Sequence, residues 1–283
     1  MNNYKEYLDL LSKNYEQAVD FLLQKYGSAQ DDYFREASYQ RFINGEIKSI
    51  TRGKASRTKE GLYCHHIDEI KWLKISDKNF VKQYNIPFES QRKDRLVYCD
   101  LIEHTILHVL ITKETSFEFG YPGYVTYLKV LIEEWYLDGK IPNRDWMKAC
   151  YNKSFLEPQK AFDILKEMQE VLGQSYFYSL EDYYEEKKKK EEQIRMWEER
   201  RKQHRLDERD RWIEIAKQLH NKSSRNEIVN ACYSVRIQYG NTTDLLKRSI
   251  TFEEYDSKMK NYMKEDILAE LLVYIDRLSE EER

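Results

Sequence analysis

The chain has 283 residues, of which 41% are hydrophobic and 34% are charged, so it can bury a core beneath a highly charged surface. Its net charge of −3 excludes a protein that is basic throughout, and any phosphate contact must come from a local cluster of Lys and Arg. The longest apolar runs are too short to span a membrane, and the polar N-terminus lacks the apolar segment of a signal peptide. These features predict a soluble, cytoplasmic protein.

Cysteine, glycine and proline usage narrows the fold class. The four cysteines are widely spaced and form no C-x-x-C pair, which argues against a disulfide framework and against a zinc ribbon. With only nine Gly and four Pro, the chain has few residues that interrupt helices. The composition therefore predicts a mainly α-helical protein.

Apolar residues at helical spacing predict helices along most of the chain. The predicted helical segments are residues 1–27, 29–42, 124–138, 144–172, 180–219, 225–238 and 251–280. Segment 180–219 has no Pro or Gly and pairs opposite charges four residues apart, as at Glu185 and Lys189. This segment predicts a long, charged, exposed helix in the C-terminal half. The helix either binds a partner protein or a second copy of the chain, or lies along DNA and contacts it.

A basic segment, residues 46–60, lies between the N-terminal helices and the most informative part of the sequence. It predicts a loop. Its cationic side chains are either ordinary solvated surface or contacts to nucleic-acid phosphates. The candidate nucleic-acid-binding residues are Arg52, Lys54, Arg57 and Lys59.

Four of the six histidines form two tight groups, His65 with His66 and His104 with His108. His104 and His108 are four residues apart, so they project from one face of a helix. Apolar residues around each group predict two short strands, one through His65 and His66 and one just before the helix. The predicted order is strand, loop, strand, helix.

The start of that helix has a clear capping signature. Asp100 is a favourable N-cap residue, and Glu103 stands three positions later, as in a capping box. The helix therefore begins close to the second strand and directs its histidines towards the first. Three imidazoles that hold a metal ion leave coordination positions open, and a fourth, neutral imidazole is a suitable general base near pH 7.

The segments His65-His66-Ile67 and Arg95 to His108 resemble the HNH (ββα-metal) endonuclease family, especially its phage and mobile-element members. The resemblance covers residues 55–113. It implies that His65, His104 and His108 bind one divalent ion, whether Mg, Mn, Ni or Zn, and that His66 is the general base. It also implies hydrolysis of DNA phosphodiester bonds, with RNA as the other substrate class, in restriction, antiphage defence or a phage or mobile element.

Two features depart from the family pattern. Arg95 occupies the position of the family Asn, which orients the general base, and Asn85, Asp94 or Asp100 are the residues that could replace it. The 38-residue separation of His66 from His104 also indicates an insertion around residues 72–90.

The predicted organisation has five segments: 1–54 (N-terminal helical region), 55–113 (nuclease core), 114–179 (helical region), 180–221 (long charged helix) and 222–283 (C-terminal helical region). Three other interpretations stay open. The first is a structural zinc site that uses Cys64 or Cys99. The second is a decayed site that binds nucleic acid without cutting it. The third is an assembly protein that works through its long helix.

Overall fold

A computed structural model of the chain describes residues 3–238 and 250–280. Contacts between residues divide the chain into two units, unit 1 (Met1–Tyr183) and unit 2 (Tyr184–Arg283). Residues 239–249 and 281–283, which belong to the predicted C-terminal helical region, lie outside the described residues. None of the helices in the two described ranges combines the length and the apolar character of a membrane span.

Helices dominate both units, which confirms the predicted mainly α class. Up to residue 171 they are α1 (Asn3–Leu11), α2 (Tyr15–Tyr26), α3 (Glu36–Ile43), α4 (Lys78–Gln83), α5 (Leu101–Glu114), α6 (Tyr121–Gly123), α7 (Lys129–Ile132), α8 (Asp145–Lys153) and α9 (Pro158–Val171). The later helices are α10 (Leu180–Lys217), α11 (Arg225–Cys232), α12 (Phe252–Met259) and α13 (Lys264–Glu280). Short 3-10 turns cover Thr58–Glu60, Ile67–Ile70, Phe88–Gln91 and Lys93–Arg95, and π-helical turns cover Tyr124–Leu128, Glu133–Leu137 and Tyr233–Gln238.

Two short strands, β1 (Tyr63–His66) and β2 (Leu96–Cys99), pair as an antiparallel sheet. In this pairing His65 lies opposite Val97 and His66 opposite Leu96. Helix α5 follows β2 after one residue, so the predicted order of strand, strand and helix is present.

Helix α5 lies at the centre of the core of unit 1. Its buried apolar residues cover more than one face and include Leu101, Ile106 and Leu110. A helix that is apolar on several sides is stable only when neighbours surround it, and α1, α2 and α9 all pack against α5. The core therefore draws on the predicted segments 1–54, 55–113 and 114–179 together.

The predicted helix over residues 29–42 is shorter than expected, because α3 begins only at Glu36. The preceding residues form hydrogen bonds with distant backbone instead. The amide of Tyr33 donates to the carbonyl oxygen of Gln91 at 2.8 Å, and the amide of Arg35 donates to that of Thr51 at 2.9 Å. These long-range hydrogen bonds use the backbone amides of Tyr33 and Arg35, which a helix over residues 29–42 would need for its own hydrogen bonds.

Two other predicted helices are interrupted. The segment 144–172 divides into α8 and α9, with Pro158 at the first turn of α9, where its missing amide hydrogen costs nothing. The segment 251–280 divides into α12 and α13 around residues 260–263. By contrast, the long charged helix is present as α10 and ends within two residues of the predicted position.

Unit 2 has an apolar core of its own, formed by the end of α10 with α11, α12 and α13. Ile213 and Ala216 are the buried residues of α10 in this core, and the half-buried Trp212 packs against it. Every residue of α10 from Lys188 to Arg205 is exposed, so this part of the helix packs against neither core.

Candidate metal centre

The N-terminus of α5 is held in place by a capping box. The carboxylate of Asp100 accepts the amide of Glu103 at 2.9 Å, and the carboxylate of Glu103 accepts the amide of Asp100 at 2.7 Å, as predicted. Helices outside the predicted nuclease core secure both side chains. Tyr7 donates to Asp100 at 2.8 Å, and Lys25 donates to Glu103 at 2.6 Å. The start of the histidine-bearing helix is thereby fixed relative to α1 and α2.

Three of the predicted histidines converge between β1 and α5. Each of His65, His104 and His108 offers one ring nitrogen, and these nitrogens all lie within 4.8 Å of one another. The ring centroids of His104 and His108 are 5.0 Å apart, as expected one helical turn apart, and that of His65 is 5.2 Å from His104. The structure therefore brings together the side chains predicted as ligands, and their metal binding stays a prediction.

Tyr15 on α2 determines which nitrogen of His65 faces the cluster. The Tyr15 hydroxyl donates to the carbonyl oxygen of Ile67 at 2.9 Å, and it lies 2.9 Å from Nε2 of His65. Because its single hydrogen is used on Ile67, the hydroxyl must accept from Nε2–H. Nδ1 of His65 then carries a lone pair, and this buried atom has no hydrogen-bond partner.

The segment after α5 orients His108. Nδ1–H of His108 donates to the carbonyl oxygen of Gly120 at 3.1 Å, so Nε2 carries the lone pair when the ring is neutral. Burial by itself would lower the pKa of His108, but without a metal ion the Glu69 carboxylate beside Nε2 raises this pKa and favours the protonated ring. The ring also packs against the backbone of Gly123. A Cβ at position 123 would lie only 2.6 Å from Cε1 of His108, so the imidazole needs the absence of a side chain there.

Gln91 orients His66, the predicted general base. The Gln91 amide nitrogen donates to the carbonyl oxygen of Ile75 at 3.0 Å, so its oxygen faces Nε2 of His66 at 3.1 Å. An amide oxygen can only accept, hence Nε2 carries the hydrogen and Nδ1 the lone pair. The ring of Tyr33 packs at 4.4 Å between centroids and holds the His66 ring from another side.

Glu69 lies inside the cluster, although the sequence assigned it no role. One carboxylate oxygen is 3.1 Å from Nε2 of His108, and the other is 3.7 Å from Nδ1 of His65 and 3.8 Å from Nδ1 of His66. The sequence signal that could have identified Glu69 is its closeness to His65 and His66 in the chain. The 3-10 turn Ile67–Ile70, directly after β1, brings Glu69 back towards the end of the strand.

The surroundings of His65, His104 and Glu69 favour the protonation states that a metal ion requires. Burial lowers the pKa of His65 to about 3 and that of His104 well below its usual value, so both imidazoles are neutral at pH 7. Burial by itself would raise the pKa of Glu69, but His65 and His108 hold it well below its usual value. Neutral imidazoles and an ionised carboxylate are the ligand forms of these side chains.

Two buried imidazole nitrogens of the cluster lack hydrogen-bond partners, which a bound cation would explain. Nδ1 of His65 and Nδ1 of His104 have no hydrogen-bond partner, which is rare for buried polar atoms in folded proteins. The group that could hold an ion within the described residues includes neither Cys64 nor Cys99. Burial raises the pKa of Cys64 to about 12 and that of Cys99 well above its usual value, so both thiols are protonated in the metal-free protein.

Arg95, at the position of the family Asn, does not contact His66. Its guanidinium forms an ion pair with the buried carboxylate of Asp68, which also accepts the Ser90 hydroxyl at 2.8 Å. Asp68 follows β1 and Arg95 precedes β2, so the pair ties together the two ends of the connecting loop. Arg95 thus ties the two ends of the loop together, whereas Gln91 is the residue that contacts His66.

The four basic residues predicted to contact nucleic acid differ in their surroundings. The guanidinium of Arg52 lies 5.7 Å from the ring centroid of Tyr33, the residue that packs on His66. Arg57 forms an ion pair with Glu60 at 2.5 Å and donates to the carbonyl oxygen of Tyr26 at 2.8 Å, so its donors are engaged within the chain. The side chains of Lys54 and Lys59 are exposed.

Comparison with known proteins adds no relative. No protein-family model, curated protein or solved structure matches the chain. The resemblance to the HNH family therefore rests on the two histidine-bearing segments, and function has to be argued from the chemistry of the site.

Proposed function

We propose that this chain is a metal-dependent endonuclease of the HNH type that hydrolyses DNA phosphodiester bonds. The observation that carries the proposal is the arrangement of four imidazoles. His65, His104 and His108 gather their nitrogens at one point, and His66 directs the lone pair of Nδ1 to the same side. Three ligands beside one free base is the combination that metal-assisted hydrolysis requires.

In the proposed reaction, a bound divalent ion supplies charge stabilisation for the phosphate and the departing 3′-oxygen. His66 removes a proton from the attacking water through Nδ1. Its Nε2–H bond to Gln91 persists and stabilises the imidazolium that forms. A new P–O bond forms to the water oxygen while the bond from phosphorus to the 3′-oxygen breaks, and the 3′-oxygen takes a proton from solvent.

Arg52 supports a nucleic-acid substrate. It is exposed, and it stacks on Tyr33, which in turn packs on His66. A phosphate bound by Arg52 would therefore lie next to the proposed base. Lys54 and Lys59 provide further positive charge along the same loop, and such local contacts bind phosphates without a basic chain overall.

Replacement of His66 by Ala tests the catalytic assignment. Because His66 provides the base and is not one of the three ligands, His66→Ala is expected to lower cleavage of supercoiled plasmid by at least about 100-fold and to spare metal binding largely. Cleavage would be followed with Mg²⁺, Mn²⁺, Ni²⁺ and Zn²⁺, and binding by calorimetry. His104→Ala is the matched variant and is expected to weaken both. Full nicking by His66→Ala would contradict the proposal.

A second candidate function is assembly through α10. Its exposed stretch carries apolar side chains, with Ile194 57% and Trp197 55% exposed one turn apart on the helix. A second copy of the chain or a partner protein would bury them. Sedimentation of the Ile194→Ala/Trp197→Ala variant against the unmodified chain tests this: an oligomer that dissociates supports assembly, and an unmodified chain that is monomeric excludes self-association.

A further inference from the structure

The centre of the cluster contains more hydrogen-bond acceptors than donors. Outer partners occupy the hydrogens of three imidazoles: Tyr15 for His65, Gln91 for His66 and Gly120 for His108. In each neutral ring the other nitrogen therefore presents a lone pair.

These lone pairs face a carboxylate, which is itself only an acceptor when ionised. Glu69 lies 3.1 Å from Nε2 of His108 and within 3.8 Å of Nδ1 of both His65 and His66. Lone pairs and negative oxygens at such distances repel each other in a water-poor interior. A cation between them removes this repulsion, and a divalent ion would contact the lone pairs and the carboxylate together.

We propose that Glu69 is itself a ligand of the divalent ion, so that the site is built from three imidazoles and one carboxylate. This inference rests on the metal binding in the proposed function, but it does not require nuclease activity. The Glu69 side chain is only 22% exposed and points into the histidine group rather than towards solvent. Among the described residues, the ion-pair partners of Glu69 are the imidazoles of His65, His66 and His108, with no Lys or Arg among them.

The fourth donor changes which ions suit the site. Imidazole favours Zn²⁺ and Ni²⁺, whereas a carboxylate also suits Mn²⁺ and Mg²⁺. Four protein donors fill a tetrahedral ion such as Zn²⁺, whereas they leave two positions on an ion that prefers octahedral coordination. Zn²⁺ is therefore expected to bind tightly without supporting cleavage, and Mn²⁺ or Ni²⁺ to bind and to leave room for substrate.

The test compares Glu69→Gln with Tyr15→Phe on the full chain, by titration with Co²⁺ and recording of its visible absorption. Tyr15 is the matched control because it touches His65 without facing the ion, and loss of such an outer partner costs about 10–100-fold in affinity. Glu69→Gln is expected to weaken Co²⁺ binding by about 100-fold or more and to shift the absorption bands, because water replaces a protein donor. Tyr15→Phe is expected to weaken binding and to leave the bands in place.

Two further variants complete the test. Glu69→Asp keeps the negative charge and is expected to recover part of the affinity, whereas Glu89→Gln removes an exposed carboxylate outside the cluster and is expected to behave like the unmodified chain. If Glu69→Gln leaves the bands unchanged, as Tyr15→Phe does, Glu69 is not a ligand and the inference is overturned. A chain that binds Co²⁺ through Glu69 but cuts no nucleic acid would overturn the proposed function alone. A chain that binds no metal would overturn both.

Discussion

At the scale of single residues, hydrogen bonds outside the cluster determine which nitrogen of each imidazole is available inside it. Tyr15, Gln91 and the backbone of Gly120 each engage one ring nitrogen and leave the other as a base or ligand. A histidine in the wrong tautomer is in the right place but presents a hydrogen where a lone pair is needed. If the proposed function holds, such outer partners affect it without touching the ion or the substrate.

Gln91 provides a prediction at this scale. Gln91→Leu removes the acceptor for Nε2–H of His66, so the tautomer with the lone pair on Nδ1 loses its stabilisation. The rate constant kcat is expected to fall by about 10–100-fold, while affinity for Mn²⁺ stays within about twofold of the unmodified chain. Gln91→Glu, which keeps an acceptor, is expected to retain more activity than Gln91→Leu. Equal losses of metal affinity and kcat would show that Gln91 supports the fold rather than the base.

At the scale of elements, the turn after α5 together with α6 completes the candidate metal centre. Gly120 has a φ of 77°, a conformation that favours glycine, and its carbonyl oxygen accepts the hydrogen bond from His108. Gly123 leaves the space that the His108 ring occupies. A segment outside the predicted nuclease core thus orients one of the predicted ligands.

Gly123→Ala, a change in α6, tests the role of this segment. The new methyl group would lie 2.7 Å from Nδ1 of His108, so the ring must rotate or the turn must shift. Metal affinity is expected to fall by at least about tenfold, and melting of the metal-free protein by a few degrees. Gly139→Ala is a control in an open position, with no atom within 4 Å of a new Cβ, although its φ of 67° brings backbone strain. A Gly123→Ala protein with unchanged metal affinity would show that the turn does not orient His108.

At the scale of the whole molecule, the chain has two separate apolar cores. The core of unit 1 includes the apolar residues of α5, the helix that carries His104 and His108, whereas the core of unit 2 is formed by residues from the end of α10 onwards. No buried residue belongs to both clusters among the described residues. Each unit can therefore unfold in its own cooperative transition.

Calorimetry of the full chain tests this division. Because the predicted ligands all lie in unit 1, Ni²⁺ at 100 times its dissociation constant is expected to stabilise one transition by about 2.7 kcal/mol and to leave the other unchanged. His104→Ala should abolish the shift without moving the second transition. A single transition that moves as a whole with Ni²⁺ would contradict the separation of the two units.

The order of the histidines, the capping box at Asp100 and the long charged helix were all predicted from the sequence, because each depends on residues a few positions apart. Helical periodicity puts His104 and His108 on one face, and alternating charges over residues 180–219 indicate an exposed helix with or without a partner. Such patterns are local, so they persist whatever the rest of the chain does.

Contacts between distant residues were decided only by the tertiary structure. Tyr15 is 50 residues from His65, and Gln91 is 25 residues from His66, so no spacing rule joins either pair. The same holds for Arg95, which pairs with Asp68 across the loop, and for Gly123 beside His108. Local patterns place the imidazoles on a strand and a helix. The packing of α2, of the loop between β1 and β2 and of the turn after α5 selects the nitrogen that each imidazole presents. The same loop brings Glu69 next to these imidazoles.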